Sequence, residues 1–158
     1  MTQEDKQLLI KDLCARLPYG VKVKYKSEES GNIEIGEIEG IDSNEIHEIY
    51  GFYLPDRYIY SVDEFIPYLR PMSTMTKKEI EEYRNLSDEV IGSYGPYHHK
   101  FIAHCVRLGI KPDNPHECVD EFLNMEAIDW LLAHHFDFRG LIEKDLALEA
   151  LSGMYKTE

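Results

Sequence analysis

Leu9, Leu13 and Leu17 recur at four-residue spacing with Ile10 beside them, which predicts one apolar stripe on a helix over residues 2–17. Thr2 is placed to cap it, and Asp5, three positions on, to act as the acidic first-turn partner. Pro18 and Gly20 then stop the helix. From Val21 to about Met72 the period changes from helical to alternating. Val21-Lys22-Val23-Lys24-Tyr25 predicts a half-buried strand, and Ser27 to Asn32 the turn after it. Ile33 and Ile35 share one face while Ile38 falls on the other parity, so Gly36 is expected to host a bulge. Gly40 to Asn44 reads as the next turn, and Glu45–Leu54 and Arg57–Val62 as two more strands parted by Pro55-Asp56. Ser61 to Glu64 has the composition of a single helical turn. Pro67-Tyr68-Leu69-Arg70-Pro71, bounded by prolines, reads as an edge strand.

After Ser73 the helical period returns. Thr76-Lys77-Lys78-Glu79 is a capping box that opens a helix to about Leu86. Gly92, Gly95 and Pro96 break it, and a second helix is expected from Tyr97 to Leu108. A third helical region covers Glu117–Leu123 and Glu126–His134, with Ile128, Leu131 and Leu132 on one face. Asp137 to Gly140 interrupts, and Leu141–Leu151 reads as a last short helix. The expectation is an α+β protein: an N-terminal helix, a small antiparallel sheet or SH3-like barrel, and a C-terminal helical region. The two parts, residues 1–72 and 73–158, are expected to pack as one compact unit.

Composition narrows the setting. A chain of 158 residues can bury roughly 70% of its unfolded surface without disulfides or metal. Its three cysteines, Cys14, Cys105 and Cys118, are odd in number and form no C-x-x-C pair, which fits a reducing, cytoplasmic compartment. MTQEDKQLL has no basic n-region, so no signal peptide is read, and no apolar run approaches a membrane span. The net charge of −13 disfavours direct nucleic-acid binding, and Lys22, Lys24 and Lys26 are too small a stripe to reverse that. Between Lys26 and Arg57 there are nine acids and no Lys or Arg, a solvated face or an acidic docking surface for a basic partner.

Candidate chemistry is sparse. His98, His99, His104, His116, His134 and His135 share the helical half with Cys105 and Cys118, but no spacing is that of a finger or ribbon, so no metal site is assigned. His116-Glu117-Cys118-Val119-Asp120 lacks the second histidine of a zincin. Asp42-Ser43-Asn44 imitates the start of an EF-hand loop but has His47 where glycine is needed. Gly92-Ser93-Tyr94-Gly95 is not a nucleophile elbow, and no glycine-rich phosphate loop occurs. No catalytic residue and no cofactor is therefore assigned. Arg70 and Arg139 each sit beside aromatics in a turn-rich segment. Either can hold a phosphate or carboxylate, or pair internally with Asp137 or Glu143. Tyr68, Arg70, His134, His135 and Arg139 are the candidate ligand-binding residues.

Three strings, Asp12-Leu13-Cys14-Ala15-Arg16-Leu17-Pro18-Tyr19-Gly20-Val21, Pro67-Tyr68-Leu69-Arg70-Pro71-Met72-Ser73 and Trp130 to Ile142, resemble a family of small proteins from gut bacteria and their phages and mobile elements. The resemblance covers about half the chain and implies a cytosolic, phage-associated setting, but the family supplies no activity to carry over. Small acidic proteins of that setting often inhibit or sequester host components. The leading expectation is a non-catalytic binding protein that engages a host protein, with a basic, nucleic-acid-handling one as the candidate that charge favours. The alternatives are a protein that sequesters a small nucleotide signal and a metal-dependent enzyme using the His/Cys cluster.

Overall fold

The computed structural model describes residues 1–44, 49–91 and 125–155, and they form an α+β fold. Contacts group the chain into two compact units: Met1–Leu69 with Leu141–Lys156, and Arg70–Gly140. A single break near residue 72 is expected from the sequence; the structure instead returns the C-terminal segment to the first unit.

In the first unit, α1 (Gln3–Arg16) is capped by Thr2, whose hydroxyl accepts from the Asp5 N–H at 3.1 Å while the Asp5 carboxylate accepts from the Thr2 N–H at 3.0 Å. A 3-10 turn over Leu17–Tyr19 ends at Gly20, whose φ of 72° suits a residue without Cβ. The strands follow: β1 (Lys22–Lys26), β2 (Ile33–Glu37), β3 (Gly40–Asn44), β4 (Ile49–Tyr53), β5 (Ile59–Tyr60), β6 (Phe65–Leu69) and, from the C-terminal segment, β7 (Leu148–Glu149). They make a four-stranded sheet, β2-β1-β6-β7, and a three-stranded sheet, β3-β4-β5. Only Ile38 and Glu39 separate β2 from β3, so one bent ribbon serves both sheets. Leu9 and Leu13 of α1 pack with Val21, Val23, Tyr25, Phe52, Tyr60 and Phe65 in one core. The Phe52 and Phe65 rings meet edge to face, with centroids 5.3 Å apart.

Four expectations change in this unit. Gly40–Asn44 is strand β3, not a turn. Ile41 pairs opposite Phe52 and packs against the core, and that burial outweighs the turn-forming composition. Gly36 hosts no bulge, since β1 and β2 pair without a break from Lys22↔Glu37 to Lys26↔Ile33. Glycine is required there because a Cβ would stand 2.8 Å from the Pro55 ring and 3.0 Å from Tyr25. The Pro67 strand lies inside its sheet, between β1 and β7. Proline is tolerated because β7 pairs only from Tyr68 onward, leaving no strand that asks Pro67 for an N–H. Residues Leu141–Leu151 are turns and β7, not a helix. Leu141, Leu146 and Ala147 enter the core, Asp145 takes a positive φ of 56°, and the Ala150 N–H donates to the Leu69 carbonyl at 2.8 Å. Tertiary pairing thus overrides helix-forming composition. The Tyr155 hydroxyl fastens the segment, accepting from the Lys22 N–H at 3.0 Å and donating to the Tyr68 carbonyl at 2.7 Å.

In the second unit, α2 (Lys77–Ile91) runs past Leu86, and α3 (Met125–Ala133) buries Ala127, Leu131 and Leu132. The expected helices at Tyr97–Leu108 and Glu117–Leu123, with the histidines and cysteines of 98–118, lie outside the described residues. Among the described residues no helix is long and apolar enough to cross a membrane.

Candidate interaction surface

Arg70 follows β6 in the chain and bridges in parallel to Phe136. Its N–H donates to the His135 carbonyl and its carbonyl accepts from the Asp137 N–H, both at 2.8 Å. The guanidinium lies 4.1 Å above the Phe136 ring and grips Glu79 in a fork, Nη1 to Oε1 at 2.7 Å and Nη2 to Oε2 at 3.1 Å. Glu79 therefore has two roles, because the same carboxylate closes the capping box of α2 on the Thr76 N–H at 2.7 Å. Burial pushes this acid upward, but the Arg70 guanidinium and the Thr76 donors outweigh it and hold the carboxyl below its ordinary value. Of the two acids foreseen for Arg70, Asp137 meets its backbone, the Asp137 N–H donating to the Arg70 carbonyl.

His134 stacks on Trp130, centroids 4.0 Å apart, and its Nδ1 lies 2.8 Å from the Trp130 carbonyl. Trp130 lies in turn 5.8 Å from Phe136, nearly parallel. His135 is buried at a positive φ of 58° and turns the chain out of α3. Arg139 is buried with its guanidinium 4.7 Å over Phe138. Tyr68 belongs to the other unit, where it is buried. The structure thus gathers Arg70, His134 and His135 into one packed knot. Its cation already holds a carboxylate, so an anion entering here competes with Glu79. Among the described residues no three His, Cys, Asp or Glu side chains converge to hold a metal.

A feature the sequence reading missed lies in α1. Asp12 and Arg16 are both 0% exposed, with Arg16 Nε 2.6 Å from Asp12 Oδ2 and Nη2 3.2 Å from Oδ1. The signal was present: positions 9, 12, 13 and 16 lie on one helical face, so a charged pair at i and i+4 falls on the apolar stripe. Cys14, on the same helix, is exposed, and partial burial of its thiol raises it above the ordinary value of 9.0. That makes it less of a nucleophile.

The β3-β4-β5 sheet carries exposed apolar groups. Phe52 and Tyr60 point inward, which leaves Asp42, Gly51, Tyr53 and Ile59 on the outer face. Ile59 lies across Gly51, where an added Cβ would stand 2.3 Å from Ile59 Cγ2. Tyr58 and Ile59 are 50% and 52% exposed. They follow a tight turn in which the Arg57 N–H donates to the Leu54 carbonyl at 2.8 Å and Arg57 takes a φ of 66°. The turn is pinned by Asp56, which accepts from the Tyr60 hydroxyl at 2.5 Å and from the Glu28 and Tyr58 N–H groups. Burial raises Asp56, but these donors prevail and lower it. Glu39 and Asp42 are exposed on the same ribbon, within the stretch that has nine acids and no Lys or Arg.

Comparison with protein-family models, with curated proteins and with solved structures finds no match for this chain.

Proposed function

We propose that this chain is a non-catalytic binding protein that engages a basic partner protein through the outer face of the β3-β4-β5 sheet. The observation that carries this reading is the exposed Ile59 on that face, with the exposed Tyr58 before it at the end of a pinned turn and an acid-rich ribbon around them. Contiguous exposed apolar groups with a polar surround are the usual build of a recognition surface. Tyrosine is a frequent anchor in such surfaces, since it offers a large apolar area at little entropic cost. The acids supply attraction and steering for a cationic surface. The resemblance to proteins of phages and mobile elements supports a host protein as that partner, with inhibition as the consequence of binding.

The test compares wild-type protein with a Tyr58→Ser/Ile59→Ser double variant as bait in bacterial lysate, followed by affinity measurement on whatever protein is enriched. A basic protein retained by the wild type, bound at least about ten-fold more weakly by the double variant and more weakly at high salt, supports the reading. Equal capture by both baits, or turnover of a substrate by the purified chain, overturns it.

A further inference from the structure

Strand β2 is an edge of its sheet among the described residues, and it carries exposed apolar side chains. Ile33 is 69% and Ile35 49% exposed. Natural edge strands are ordinarily guarded by charge, proline or a bulge; β2 has no proline and an unbroken register, and of its three outward side chains only Glu37 is charged. The direction of its backbone groups follows from the hydrogen bonds at either end. The Ser27 N–H donates to the Asn32 carbonyl at 2.8 Å and the Ile38 N–H to the Val21 carbonyl at 3.1 Å. Even-numbered residues of β2 therefore face β1, and Ile33, Ile35 and Glu37 turn their N–H and C=O groups to the open edge.

We propose that this edge pairs with a second copy of the same strand, in antiparallel register centred on Ile35, to form a weak symmetric dimer. A two-fold pairing must oppose odd-numbered residues to odd-numbered ones, because only those carry open backbone groups. Three registers meet that condition and bring at least two outward residues of each copy into the ladder. Centring the pair on Glu34 opposes two like carboxylates. Centring it on Gly36 leaves Ile33 outside the ladder. Centring it on Ile35 sets Ile35 against Ile35, Ile33 against Glu37, and Glu34 against Gly36, so no like charges meet and all three outward residues of each copy are used. The face built this way is continuous with the existing one. Lys24 lies beside Ile35 and Ile66 beyond it, while Lys26 lies beside Ile33, next to the incoming Glu37. The interface is closed and self-complementary, as a two-fold contact requires. Five residues from each copy bury far less than the ~800 Å² per partner of a standard interface, so the dimer depends on concentration. Each copy carries a charge of −13, so screening favours it.

The test is sedimentation of the full chain from micromolar to millimolar concentration at low and high sodium chloride. Wild type is expected to move from monomer toward dimer with concentration, and further at high salt. Ile35→Lys and Ile35→Glu each place like charges face to face, so each is expected to dimerise at least about ten-fold more weakly. An equimolar mixture of the two variants is expected to recover association, because only this register sets position 35 against position 35. Ile35 packs little against its own core, so both variants should keep the wild-type circular dichroism. A wild type that stays monomeric throughout, as it would if the edge served only a foreign strand, overturns the proposal. So does association that survives either variant alone, or a mixture that fails to pair. Association here strengthens with salt, whereas binding of a basic partner weakens, so the failure of one leaves the other readable.

Discussion

Arg16 and Arg70 are each drawn out of water against a carboxylate that meets the guanidinium as a fork. Removing one member of such a pair leaves the other buried and uncompensated, whereas replacing both with apolar groups of similar size is often neutral. Asp12→Ala is therefore expected to destabilise the chain by about 3–5 kcal/mol in urea unfolding, and Asp12→Leu/Arg16→Met to recover most of that loss. Arg70→Lys keeps the charge but loses the fork and the planar contact with Phe136, at an expected cost of ~1.5–3 kcal/mol. Trp130 is the only tryptophan and lies 5.8 Å from Phe136, so its fluorescence reports this loss directly. The sequence singled out Arg70 and offered it an internal acid, yet named Asp137 or Glu143. Glu79 was legible only as a cap, because its second role depends on the tertiary packing that brings the Arg70 guanidinium to it.

Elements in this protein are held by close backbone approach as much as by apolar stripes. At Gly36 the neighbour is the Pro55 ring, which cannot turn aside; at Gly51 it is the end of the exposed Ile59 side chain. Gly36→Ala is expected to cost about 1–3 kcal/mol through overpacking, and Gly51→Ala about 0.5–1.5 kcal/mol, the price of moving one rotamer. Chemical denaturation of the two variants side by side checks the order, and equal costs would contradict the account. The helices and β1 were readable because capping boxes and alternation act within a few residues. Gly40–Asn44, and Leu148–Glu149 within the C-terminal segment, are strand only by virtue of a distant partner, β4 for the first and β6 for the second, which local composition does not show.

Across the whole molecule, ionisation sets a pH window for stability. Asp56, Asp63 and Glu79 are lowered on folding from 3.8, 3.8 and 4.5, with Asp63 brought to about 2, first by Lys6 and then by Ser61. A carboxyl lowered on folding stabilises the native state fully above its unfolded value, and that contribution is lost as pH falls through the folded value. Tyr60 and Tyr155 are raised from 10.0 to about 12, chiefly by burial. They stabilise below 10.0, and the contribution is lost as pH rises through about 12. Urea midpoints are expected to hold between these limits, to decline from 4.5 toward about 2, and to decline again above 10.0. A midpoint that rises on acidification below 3.8 would show that relief of the −13 charge outweighs the lost pairs.

The order of the amino acids was enough to specify the α+β class, the capped helices, the first hairpin and the acid-rich ribbon, because each depends on short-range periodicity or on composition. It was not enough to choose Glu79 for Arg70, to place Pro67 inside a sheet, to draw the C-terminal segment back onto β6, or to leave Ile33 and Ile35 of β2 exposed. Those outcomes depend on which strand lies beside which, and contacts between residues far apart in the chain are set by the packing of the core as a unit.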